Sequence, residues 1–391
     1  MDVAFVNGRV MTDAGLVEGW AVRVAEGRIA AVGPEADVAG GAQRRDLGGG
    51  LLLPGFIDIQ VNGGAGVLFN DAPTVESIAA IGRAHRRFGT TGFLPTLISD
   101  DLPAVETAMK AADQALVRGV PGVLGVHVEG PFINPRRKGI HDPGKLQTID
   151  DPALAILAAP RAGRTLVTLA PETMTPQTIA RLTAAGVVVA AGHSNATYAG
   201  VRAAIDQGLT GFTHLFNAMS PLTSREPGVV GAALASPETW CSIIVDGRHV
   251  DPVVLRIALR CRGGERFILV TDAMPSVGAR SKTFQLQGKR ITVVNGVCVD
   301  ERGTLAGSDL DMASAVRNAV RLLDLDLAAA SKMASRNPAD FLGLGHERGR
   351  IAPGYHADMV LLDDGLQVLE TWIEGRASGE DATAADMDSP P

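Results

Sequence analysis

The chain has 391 residues, 46% apolar and 20% charged, the make-up of a soluble globular protein. That length exceeds what one hydrophobic core usually holds, so a large domain with a small companion is expected. The 36 basic and 43 acidic side chains leave a net charge of −7, which argues against a nucleic-acid-binding surface but not against a local basic pocket for a small anion.

Cys241, Cys261 and Cys298 form no CxxC pair and read as reduced thiols of a cytoplasmic protein. The N-terminus MDVAFVNGRVMTD lacks a signal-peptide pattern, and no apolar run approaches the roughly 18 to 20 residues of a membrane span. No membrane partner is expected.

The first fifty residues are short β-like runs: VAFVNGRVM, WAVRVAEGRIAAVG and RRDLGGGLLLPG. Their Asn-Gly and Glu-Gly pairs predict small antiparallel strands. From Pro54 the texture changes, and apolar strands alternate with amphipathic helices such as TVESIAAIGRAHRRFG and DDLPAVETAMKAADQALVRG. Strands are expected at 56–62, 92–97, 122–130, 165–172, 187–194, 211–217, 240–249 and 266–274. Eight such units fit an α/β fold, a (β/α)8 barrel of TIM type, which typically takes about 250 residues. A doubly wound sheet would need its glycine-rich turn after the first strand, whereas GGGLLLPG precedes it.

TFQLQGKRITVVNGVCVDERGTLAG then reads as an inserted hairpin before the last barrel helix. Short strands return over 345–373, to pair with the N-terminal ones in a small β-sandwich. The expected division is sandwich 1–53, barrel 54–344 and sandwich 345–375. The Ala-, Asp-, Ser- and Pro-rich tail 376–391 is expected to be disordered.

Barrel active sites form at the C-terminal ends of the strands. Glu129 is placed there on strand three, His193 on strand five, His214 on strand six and Asp272 on strand eight. Singly, each has an ordinary structural reading. Together, two imidazoles and a carboxylate at one mouth make a metal-ligand set with a position open for water. His127 lies two residues before Glu129 and reads as interior packing. Arg136, Arg137 and Lys138 read as a solvated charge run.

PGFIDIQVNGG, HVEGPF, AGHSNA, THLFNAMS, REPG, VDGRH and VTDAM, with a closing RIAPGYHADMVLLD, resemble the N-acetylglucosamine-6-phosphate deacetylases of the amidohydrolase superfamily. The resemblance runs from residue 1 to about 375. It implies a metal-dependent barrel with a split β-sandwich, a homodimer, and hydrolysis of the acetamide of N-acetylglucosamine 6-phosphate. Glu129, His193 and His214 would hold the metal, with Asp272 as general base and then acid. Ile140, His141, Asn217, Ala218, Arg225, His249, Leu305, Ala306 and Gly307 would meet the amino-sugar phosphate, with Arg225 and His249 on phosphate and sugar. His141 is expected to help stabilise the oxyanion, and the resemblance implies that the basic loop with Arg136, Arg137 and Lys138 would be a lid over the anionic sugar phosphate.

Some amidohydrolases carry His-x-His where this chain has Gln60 and Asn62. Neutral amides are poor transition-metal ligands, so one divalent ion per subunit is expected, Gln60 touching it through water. Zinc is the first expectation, with iron, manganese or cobalt as alternatives. Two other readings stay open: another N-acyl sugar phosphate such as N-acetylgalactosamine 6-phosphate, and a non-catalytic sugar-phosphate-binding barrel. TLVTLAPE on strand four has no lysine, which counts against a two-metal cyclic-amide hydrolase.

Overall fold

The computed structural model describes residues 2–379. By contacts the chain divides into two units: residues 1–57, 85–92 and 325–391, and residues 58–84 and 93–324.

The first unit holds two sheets. One is four-stranded, in the order Arg28–Pro34, Trp20–Ala25, Asp2–Val6, Gln43–Asp46. The other is six-stranded, in the order Arg376–Ala377, Val368–Ile373, Met359–Leu362, Leu51–Pro54, Arg9–Thr12, Gly15–Glu18. Phe5, Val22 and Ile29 from the first pack with Val10, Leu52, Met359 and Trp372 from the second, and the Phe5 and Trp372 rings meet edge-on at 5.0 Å. This is the β-sandwich, built from both ends of the chain. Glu26 and Gly27 take φ values of 51° and 78°, as a tight hairpin requires. Asn7-Gly8 departs from expectation: the strands it joins lie in different sheets, so this turn is a crossover. Arg376–Ala377, expected in the tail, instead pairs with Trp372 and Ile373; residues 380–391, the rest of that expectation, lie outside those described.

The barrel sheet has eight parallel strands: Phe56–Val61, Thr90–Ile98, Gly125–Glu129, Arg164–Leu169, Val188–Ala191, Gly211–Phe212, Trp240–Ile243 and Phe267–Leu269. Strand two is buried along all nine residues, as a parallel strand covered on both faces should be. The chain after strand eight returns to strand one: Asp272 N–H donates to Gln60 C=O at 3.0 Å and Asn62 N–H to Ala273 C=O at 2.9 Å.

Most strands are shorter than their apolar runs, and the difference falls mainly at the C-terminal ends, except that strand three starts late, at Gly125. Strand six stops at Phe212, so His214 stands on the following loop; His193 and Asp272 likewise lie past their strands. The physical reason is backbone conformation. His193, His214 and Asp272 have φ of 48°, 37° and 53°, which no strand accommodates.

The expected hairpin over 283–307 is a four-stranded antiparallel sheet: Thr283–Leu286, Lys289–Val294, Val297–Val299 and Leu305–Ser308. Leu286, Ile291, Cys298 and Ala306 make its core with Ile98, Ile140 and Met274. Among the described residues no helix is long and apolar enough to cross a membrane.

Candidate active site

Glu129 is the last residue of strand three and is 2% exposed. Its Oε1 lies 3.2 Å from His193 Nε2 and 2.9 Å from His214 Nε2, and the two imidazole nitrogens are 3.0 Å apart. One ligand atom from each of the three residues fits within 4.8 Å of the others. Nδ1 of His193 faces the Arg137 carbonyl at 2.8 Å and therefore carries hydrogen. In the neutral ring Nε2 is then a bare lone pair, aimed at a carboxylate oxygen and a second imidazole. Such an arrangement needs positive charge among its three atoms, a proton or a metal ion. A His₂Glu set of this kind fits a divalent ion. Burial pushes the Glu129 carboxyl up, but its hydrogen bonds to His193 and His214 hold it well below the usual range.

Gln60 and Asn62 do not satisfy each other. Gln60 Nε2 donates to Glu129 Oε2 at 3.1 Å, and Asn62 Nδ2 to Asp272 Oδ1 at 2.6 Å. Their carbonyl oxygens, Oε1 and Oδ1, are buried and have no protein partner among the described residues. Below them Asp58 accepts hydrogen bonds from the Gln60 and Thr271 amides and the Thr271 hydroxyl. Burial pushes Asp58 up to about 7. Asp272 is raised to about 6 by burial and then by the Glu129 charge.

His127 meets the Ile59 carbonyl through Nδ1 at 3.0 Å and Thr168 Oγ1 through Nε2 at 2.8 Å. Burial holds it down to about 4, so it is a neutral interior residue, as its spacing implies.

Arg136 is exposed, as a solvated run would have it, but Arg137 and Lys138 depart from that expectation. Arg137 donates to Asn195 Oδ1 at 2.9 Å and Lys138 reaches the His141 carbonyl at 3.3 Å, while Asn134 N–H holds the His193 carbonyl at 2.9 Å. The loop is thereby tied across to the His193 segment, and its Arg137 carbonyl orients the His193 ring.

A cavity of about 260 Å³ opens over these groups. Glu129, His193, His214 and Asp272 line it, as do Ile140, His141, Asn217, Ala218, His249, Leu305 and Gly307. Ala306 does not: strand alternation turns it into the core of the four-stranded sheet. Gln60 stands behind Glu129, outside the lining. Arg225 is exposed and also outside the lining, which includes no lysine or arginine. Its neighbour Glu226 accepts from the Tyr198 and Gly228 amides.

Sequence reasoning missed two supporting residues. Asp246 receives Nδ1–H of His249 at 2.6 Å, both side chains being 5% exposed. Its place in VDGRH was a usable signal. Ser99 contacts His141 Nδ1 through Oγ at 2.7 Å and through its backbone N–H at 3.3 Å. Nothing local marked it. Burial pushes His141 down to about 3, so the ring is neutral.

A model of the amidohydrolase family matches residues 51–378. An N-acetylgalactosamine-6-phosphate deacetylase from Shewanella sp. (strain ANA-3) is 44% identical, over 94% of each chain. The crystal structure of N-acetylglucosamine-6-phosphate deacetylase from Pasteurella multocida superposes with a TM-score of 0.93 at 35% identity, covering 96% of this chain and 99% of that one. A variant of N-acetyl-D-glucosamine-6-phosphate deacetylase from Mycobacterium smegmatis, in complex with N-acetyl-D-glucosamine-6-phosphate, gives a TM-score of 0.88 at 34% identity, with the same coverage.

Proposed function

This chain belongs to the amidohydrolase family, and from that premise we propose that it hydrolyses the acetamide of N-acetyl-D-glucosamine 6-phosphate, giving D-glucosamine 6-phosphate and acetate in amino-sugar catabolism. The observation that carries this reading is the convergence of Glu129, His193 and His214 on one point, with the Asp272 carboxylate lining the same cavity.

Glu129, His193 and His214 would hold a divalent ion, which when bound would supply Lewis-acid polarisation of the acetyl carbonyl and a more acidic water. Zinc suits the donor set best, and iron, manganese or cobalt are the alternatives. Asp272 takes the proton from the attacking water and delivers it to the amine as the carbon–nitrogen bond breaks. The Asn62 amide occupies Oδ1, which leaves Oδ2 for that transfer. His141, neutral and lining the cavity, meets the acetyl oxygen as negative charge develops. Leu286 and Leu305 of the four-stranded sheet line the cavity too, and they keep bulk water from the reacting carbon.

His249, braced by Asp246, is the polar group for the sugar or its phosphate. The phosphate also calls for a guanidinium, and Arg225 is exposed instead of lining its own chain's cavity. The reading is therefore a cytoplasmic homodimer in which Arg225 of each chain serves the other chain's site. One metal ion per subunit belongs to it, because Gln60 and Asn62 supply amides where a second ion would need imidazoles.

Acetate release from N-acetylglucosamine, N-acetylgalactosamine and their 6-phosphates tests the proposal, using zinc-loaded protein and protein after chelation. The gluco 6-phosphate is expected to be the fastest substrate, with loss on chelation and recovery on adding metal. No acetate from any of the four would remove the deacetylase reading. The galacto epimer is the second reading, favoured by the name of the Shewanella relative, and the same panel ranks the two.

A further inference from the structure

Ser99 follows strand two, and His141 closes the loop after strand three, 42 residues away. Both are buried, at 0% and 2% exposed. Two donors converge on one ring atom: the Ser99 backbone N–H lies 3.3 Å from His141 Nδ1, and Ser99 Oγ lies 2.7 Å from it. A backbone N–H can only donate, so Nδ1 must offer its lone pair, and the hydroxyl sharing that atom donates as well. A neutral imidazole has one N–H, and here it must be on Nε2.

A third residue holds the pair in register. Gln287, at the tip of the first hairpin of the four-stranded sheet, donates through Nε2 to the Ser99 carbonyl at 2.9 Å. Its Oε1 accepts the N–H of Asp142, the residue after His141, also at 2.9 Å. Gly130 leaves room for this contact, since a Cβ there would stand 2.3 Å from Ser99 Oγ.

We propose that Ser99 is a positioning residue which, clipped by Gln287, fixes His141 as its Nε2–H tautomer, so that the ring meets the acetyl oxygen only as a hydrogen-bond donor. This deepens the deacetylase reading and rests on it for the identity of the oxygen. The opposite tautomer would present a lone pair to an oxygen that gains negative charge in the transition state, and would oppose the reaction. The fold thus settles in the resting protein a choice that solution imidazole leaves open.

The tautomer can be read without turnover. Two-bond proton–nitrogen correlation spectra of zinc-loaded, ¹⁵N-histidine-labelled protein distinguish Nε2–H from Nδ1–H rings, and His141→Gln identifies the His141 signal by its loss. The expected pattern for His141 is Nε2–H. Ser99→Ala removes the shorter donor, at 2.7 Å, and leaves only the backbone N–H at 3.3 Å, too weak to hold one tautomer alone, so it is expected to give a mixture of tautomers. Its kcat should fall roughly threefold to tenfold with KM little changed, the range for one lost hydrogen bond. Ser99→Thr should restore both readouts. His141→Gln, whose amide nitrogen reaches the Nε2 position, is expected to keep more activity than the shorter His141→Asn. An Nδ1–H pattern in the wild-type protein overturns the proposal, and so does Ser99→Ala with unchanged tautomer and kcat. If no acetate is released at all, the spectrum still reports the tautomer, so failure of the deacetylase reading is separable from failure of this one.

Discussion

Asn62 and Asp272 divide the two oxygens of one carboxylate between holding and reacting. Asn62 fixes Oδ1 at 2.6 Å, and the partner of Oδ2 is left to the substrate side. Asp272→Asn keeps the shape but cannot take a proton, and it is expected to lower kcat by about 10² to 10⁴ while metal content and substrate affinity stay near wild type. Near-normal turnover in that variant would remove Asp272 from the chemistry. Asp58 makes a different prediction, for stability. Burial raises its folded pKa to about 7 from 3.8, so its contribution is fully present below the unfolded value and is lost as pH rises through 7. Asp58→Asn can accept the same two backbone N–H groups without ionising. Its melting temperature should gain on wild type between pH 5 and pH 8, and a pH-independent difference would show that the folded pKa of Asp58 is not raised, the carboxyl being ionised in both states over that range. Gln60 and Asn62 also bear on metal stoichiometry. Elemental analysis should find one tightly held ion per chain, with activity lost on chelation and no gain from excess metal; two tightly held ions would overturn it.

At the scale of elements, the strand ends are where structure and chemistry compete. The left-handed φ of His193, His214 and Asp272 costs on the order of 1 to 3 kcal/mol each, yet it ends each strand and turns the side chain toward the mouth. Apolar residues run up to His193 and on past His214 and Asp272, which is why sequence reading made strands five, six and eight too long. The opposite ends of the strands carry a tighter constraint. At the start of strand three, a Cβ on Gly125 would stand 1.8 Å from the Arg164 carbonyl oxygen. That atom belongs to the paired strand's backbone, which cannot step aside without breaking the ladder. Gly125→Ala is therefore expected to destabilise the protein by more than about 3 kcal/mol in denaturant titrations, in the range of severe core substitutions. A change under about 1 kcal/mol would show that the barrel relaxes there.

At the scale of the molecule, the question is whether one chain makes a complete site. The cavity lining has no lysine or arginine, and Arg225 sits on an exposed loop. A homodimer exchanging Arg225 makes a distinctive prediction. Arg225→Ala alone should weaken the phosphorylated substrate roughly tenfold to a hundredfold, and its unphosphorylated counterpart far less. Mixing inactive Asp272→Asn chains with Arg225→Ala chains should then recover activity, because each mixed dimer contains one site with both an intact base and a partner's arginine. No recovery after verified subunit exchange would place Arg225 in its own chain's site or outside the reaction.

The sequence by itself determined the barrel, the sandwich made from both chain ends, and the polar residues at the mouth. These follow from signals that are local in the chain: apolar runs alternating with helical periodicity, turn residues, and histidines or carboxylates where apolar runs stop. The tertiary structure alone decided how those residues are partnered. Gln60 is joined to Glu129 across 69 residues and Asn62 to Asp272 across 210, and no local pattern encodes either distance. Ser99 is an unremarkable serine until barrel closure brings it against His141. Ala306 and Leu305 are neighbours in sequence, and only the pairing of their strand with Val297–Val299 sends one into a core and the other to the cavity. Side-chain type is a property of the chain, whereas which nitrogen carries a proton, and which face a residue turns, depend on hydrogen bonds that exist only after the sheet has closed.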